Sequence, residues 1–222
     1  MHYKNVFLFR MELLEREIYF PGYIAFGFMI SLGLMVISKI LAPNFLIYLK
    51  DLIFSSQPLS TTAYSDTSRV KQGRMILILN FFVVSFCAME MIRFEYTIHF
   101  NLYFTAAPLL YVVYQFVILH LTHLISGDTR GVKAQRTILL GVFQVMGVLF
   151  FPLLVIWYLN PTWSSSLFNI TSTLFIIFIL YRLLRGFFIG VSKQVSWYYL
   201  ILYLCTAEIY PLILLYAVFI GF

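Results

Sequence analysis

Glu208 is the residue with the greatest chemical consequence in this chain. It lies near the middle of residues 198–222, YYLILYLCTAEIYPLILLYAVFIGF, a run long enough to cross a bilayer, whose ~30 Å hydrocarbon core takes about 20 apolar residues. An ionised carboxylate at a helix centre costs about 2.5–3.5 kcal/mol to insert, so Glu208 must be neutral, paired, or turned towards a wet interior. Pro211, one turn later, lacks a backbone donor and crowds the carbonyl of Ala207, which places a kink beside the acid. Other apolar runs carry His120 and His123 at i, i+3, and also Asn80, Gln144 and Arg182. On the topology derived below, these groups lie towards one side of the membrane and can line a single cavity with Glu208 at its floor. A protonatable carboxylate near imidazoles is the chemistry of proton relays and ion-coupled transport. The same groups also have a plainer use. Glu208 can pair with Arg182, His120 or a tyrosine hydroxyl and pin the helices together. Histidines near a helix end are at home in the interface, and Asn80, Gln144 and Thr171 serve as interhelical hydrogen-bonding groups.

Arg182 and Arg185, again i, i+3, form with Lys193 a basic strip at the end of a span. Such a strip suits either simple orientation by positive charge or contact with the anionic headgroup of a lipid or polyprenyl phosphate. Gly186-x-x-x-Gly190 beside it is a pattern of close helix approach. The sequence implies no metal and no cofactor. His120 and His123 supply two ligands, Glu208 would have to be the third, and no haem-binding pattern surrounds them. Gly-rich phosphate loops, a G-x-S-x-G elbow, a Cys pair with metal spacing and HExxH are all absent from the sequence. Catalysis would have to rest on Glu208 and the histidines alone, so the expectation is a protein that is not an enzyme.

The elements that must position these residues are membrane helices. Of the 222 residues 62% are hydrophobic and 11% charged, against about 45–50% and about 25% in a soluble domain, which leaves little chain for a soluble domain. The expected fold is all-α: a polytopic transmembrane bundle of about six spans over residues 19–222, preceded by an amphipathic interfacial segment at 1–18. The spans are read at 19–41, 75–94, 102–125, 138–159, 167–181 and 198–222. Residues 44–55 lie in the interface, 56–74 form the longest polar loop, and 126–137 form a short basic connector. The second span carries Asn80 and Glu90, and the third carries Gln115. Cys87 and Cys205 both fall inside apolar runs and read as small buried hydrophobes. Trp163, after the turn Asn160-Pro161, sits where an interfacial aromatic belongs.

The net charge of +6 is a matter of topology, not of nucleic acid. With alternating loops, eleven of the fifteen Lys and Arg collect on one side, which the positive-inside rule makes cytoplasmic, with both termini outside. The three basic residues of the 1–18 segment, Lys4, Arg10 and Arg16, pull against that placement of the N-terminus.

The run Tyr203-Leu204-Cys205-Thr206-Ala207-Glu208-Ile209-Tyr210-Pro211 resembles the C-terminal signature of an uncharacterised multi-pass inner-membrane family of Bacteroidota. The R-x-x-L-x-L-N pattern from Arg74 to Asn80 is similar as well. The resemblance implies the bacterial inner membrane, no established activity, and Cys205, Glu208 and Pro211 as the residues on which the family's role turns. The leading expectation is a non-enzymatic subunit of an envelope complex, in secretion, motility or envelope biogenesis. Its partners would be the lipid bilayer and other integral membrane proteins or further copies of itself. A small transporter or proton conductor using Glu208 with His120 and His123 is the alternative. Headgroup binding by Arg182, Arg185 and Lys193 is the third reading.

Overall fold

A computed structural model describes residues 20–44, 47, 68–95, 105–126 and 129–192. It is helical throughout: α1 Gly22–Leu41, α2 Ser68–Glu95, α3 Ala107–Ser126, α4 Thr129–Leu159 and α5 Ser164–Ser192, with one 3-10 turn at Pro161–Trp163 between α4 and α5. All five helices are long and apolar enough to cross a membrane. The chain is a multi-pass membrane protein. The sixth expected span, 198–222, falls outside the described residues together with Glu208, Cys205 and Lys193, as do segment 1–18 and nearly all of 45–55.

Three boundaries differ from the sequence reading for one reason, one of them that α5 runs through Ser192, past the expected 181. α2 starts at Ser68, so residues 68–74 of the expected loop are helical, and α4 starts at Thr129, so nearly all of the expected connector is its first turns. Lys, Arg, Gln and Ala are good helix formers, and a charged turn at the end of a span means only that the helix continues past the hydrocarbon.

α1 and α2 pack as an antiparallel pair. Gly73, Leu77, Asn80, Val84, Cys87 and Met91 recur at alternating steps of four and three and are all buried, facing Ile24, Phe28, Ser31 and Ser38 at the same steps on α1. That 3.5-residue repeat is the seam of a left-handed helix pair. Small residues bring the backbones close. A Cβ on Gly27 would lie 2.5 Å from the Cys87 sulfur, and one on Gly73 would lie 3.0 Å from the Ala42 Cβ. Ser38 Oγ donates to the Gly73 carbonyl at 3.0 Å, closing one end of the seam. At the other end the Tyr23 hydroxyl donates to Glu90 Oε2 at 2.6 Å.

α4 is the hub. It touches α1, α2, α3 and α5, and 61% of its membrane window is buried against 11% for α5. Its apolar side chains, from Ile138 to Trp157, therefore make up much of the core. Ring contacts fix the directions of the helices. Phe28 meets Phe151 and Tyr158, Phe81 stacks on Phe143 at 4.8 Å, Phe150 meets Phe178, and Trp157 meets Phe168. α4 is thus parallel to α2 and antiparallel to α1 and α5. Pro152 sits inside α4 without breaking it; it leaves the Val148 carbonyl without its usual i+4 donor, a loss that membrane helices accommodate locally.

Candidate functional site

The five helices meet in one buried polar layer near the middle of the spans. On the α1–α2–α4 side, Ser31 Oγ donates to Asn80 Oδ1 at 2.6 Å, and Asn80 Nδ2 donates to the Gly147 carbonyl at 3.2 Å. Both polar side chains are fully buried. The glycine at 147 is required, because a Cβ there would stand 2.9 Å from the Phe81 Cα. One turn earlier on α4, Gln144 Nε2 donates to the Arg74 carbonyl at 3.0 Å. Gln144 Oε1 is buried and has no hydrogen-bond partner among the described residues.

On the α3–α4–α5 side the centre is Arg182, which is 6% exposed. Its Nη2 donates to Gln115 Oε1 at 2.8 Å, its Nη1 donates to the Tyr111 hydroxyl at 3.2 Å, and its guanidinium lies 5.9 Å from the centroid of the Phe143 ring. Gln115 is the midpoint of α3 and is fully buried. Side chains lean towards the N-terminus of their own helix, so Arg182, near the end of α5, reaches back towards mid-membrane. The two polar groups are joined through Phe143, which stacks on Phe81 and meets Tyr111 edge-on at 6.2 Å. An arginine at this depth is held where charge is expensive by two acceptors and a ring face.

The structure thus brings Asn80, Gln144 and Arg182 into one layer, while the histidines stand apart from it. His120 is on an exposed face of α3. His123 is half-buried, and its Nδ1 has no hydrogen-bond partner among the described residues. Arg185 donates to the Tyr181 hydroxyl on the same face of α5. Gly186 is used within the chain, since Gln135 Nε2 donates to its carbonyl at 2.9 Å. Among the described residues no three His, Cys, Asp or Glu gather as metal ligands.

The family model described as Domain of unknown function (DUF4271) matches residues 24–219. The chain belongs to the DUF4271 family. The match takes in the helices described above, but for the first two residues of α1, and also position 208. No curated protein and no solved structure matches the chain.

Sequence reasoning places two further residues of this DUF4271 chain inside spans but gives them no role in the site. Gln115 is the acceptor that fixes Arg182, and Glu90 is a buried carboxylate tied to Tyr23 and, at 3.3 Å, to Arg93. Both are isolated polar letters in apolar runs, the signal that singles out Asn80 and Gln144, and that signal was available for them too.

Proposed function

We propose that this protein is a non-enzymatic integral protein of the bacterial inner membrane, and a subunit of a membrane complex of the cell envelope in secretion, motility or envelope biogenesis. One observation carries the reading: the polar side chains of five helices meet in one layer and bond mainly to one another's helices. Interhelical hydrogen bonds of this kind hold a bundle in one arrangement. The exposed faces of the described helices are largely apolar, which suits packing against other spans. The resemblance to a Bacteroidota family points to the envelope machineries of such cells. Affinity purification in mild detergent tests the proposal. Reproducible recovery of other integral envelope proteins is expected, and elution of the chain alone from its native membrane would overturn it.

A second reading, a small transporter or proton conductor, is favoured by the buried Arg182, since ionisable residues inside spans commonly mark ion paths. There Glu208, with His120 and His123, carries the proton. Glu208→Gln separates the two readings. Loss of pH-linked flux in proteoliposomes with assembly intact favours transport, and loss of assembly with no flux to lose favours the subunit.

A further inference from the structure

We propose that the end of α1 and the adjoining turns of α2 hold the anionic headgroup of a phospholipid, with Lys39 and Arg69 as its cationic partners. The two backbones meet there: Ser38 Oγ donates to the Gly73 carbonyl, and a Cβ on Gly73 would lie 3.0 Å from the Ala42 Cβ. Lys39 follows Ser38 in the last turn of α1, and Arg69 stands four residues before Gly73 on α2. The seam therefore carries both to one end of the helix pair, within about two turns of each other in depth. Both side chains are exposed, and among the described residues neither makes a hydrogen bond, an ion pair or a ring contact.

Other cations on that side of the bundle are engaged within the chain. Arg182 is bonded in the buried layer, Arg185 donates to Tyr181, and the Arg136 guanidinium lies over the Phe116 ring. The site is thus distinct from the strip read from the sequence at Arg182, Arg185 and Lys193. Among the described residues no carboxylate offsets its charge, since Glu90 and Glu95 both lie at the other end of α2. Beside Lys39, the side chains of Val36, Ile37 and Ile40 present exposed apolar surface. Acyl chains lie against such a face, and long basic side chains at its rim reach phosphate depth. Unpaired positive charge in that position matches a phospholipid whose headgroup is negative. This inference goes beyond the proposed role and holds for a complex subunit and for a transporter alike.

The full chain, purified and reconstituted in vesicles of equal parts phosphatidylglycerol and phosphatidylcholine, tests it through native mass spectrometry of the lipid that stays bound. The parent should retain phosphatidylglycerol over phosphatidylcholine, and raised salt should weaken that preference. Lys39→Gln with Arg69→Gln should cut it about five-fold for each charge removed. The charge-conserving pair Lys39→Arg and Arg69→Lys should keep it, and so should Arg136→Gln, which removes a charge on the same side of the bundle. A parent whose preference is absent or indifferent to salt, a double Gln variant that retains it, or an equal loss in Arg136→Gln overturns the site. If the parent shows no preference in vesicles while the Gln pair loses a partner protein in the native membrane, the two cations serve a protein contact and the lipid site is excluded.

Discussion

At the scale of single residues, the buried polar side chains among the described residues are bound across helices. Asn80 is the clearest case, with Ser31 and the Gly147 carbonyl on two other helices. Interhelical hydrogen bonds in bilayers average about 0.6 kcal/mol and reach about 1.7. Asn80→Ala, which breaks two, should therefore cost about 1–2 kcal/mol, readable as a lowered midpoint of thermal unfolding in detergent. Gly147→Ala should cost more, because its Cβ meets the backbone of Phe81 and not a movable side chain. A Gly147→Ala variant as stable as the parent would show that α2 and α4 are less closely apposed. Glu90 and Tyr23 make a third contact of this kind at the opposite end of the α1–α2 seam from Ser38. Tyr23→Phe should weaken that end without unfolding the chain, seen as faster hydrogen exchange in the first turns of α1.

At the scale of elements, the helices divide into a hub, a tight pair and two loosely held spans. α4 contributes Leu154, with no exposed surface, and Trp157, at 1%. Leu154→Ala should destabilise by about 2–5 kcal/mol, the usual range for a buried leucine. Ile177→Ala, at an exposed position of the α5 surface, should fall within about 0.5 kcal/mol of the parent. Similar losses at the two positions would mean that a partner covers α5 in the membrane. α3 is only 17% buried over its membrane window, yet it holds the buried Gln115 and offers Phe116 to Arg136 at 5.4 Å. Its place thus depends on a few polar and cation–π contacts more than on area, and Gln115→Leu should loosen α3 ahead of the other helices in limited proteolysis.

At the scale of the whole molecule, the charge distribution sets the orientation. The C-terminal ends of α1, α3 and α5 and the N-terminal ends of α2 and α4 lie at one side, and eight of the ten Lys and Arg among the described residues are there; Arg182 belongs to the buried layer and Arg93 to the other side. Trp163, 62% exposed, stands at the other side. The positive-inside rule predicts that the basic side faces the cytoplasm. A reporter inserted between α3 and α4 should therefore read as cytoplasmic, and one inserted after Asn160 as external. The reverse result would invert the orientation of the bundle.

The membrane class, the helical fold and the approximate position of each described span were legible in the sequence, because an apolar run of about 20 residues has few stable uses other than crossing a bilayer. Asn80, Gln144 and Arg182 were legible for the same reason, as polar letters where polarity is expensive. The partners were not. Hydropathy gives depth along a span but not rotation about it, so nothing in the letters says that Arg182 meets Gln115, that Asn80 bridges to a glycine carbonyl, or that His120 turns outward. Those choices rest on which helices lie side by side, and that was decided by small residues such as Gly27, Gly73 and Gly147, whose missing side chains let two backbones come together.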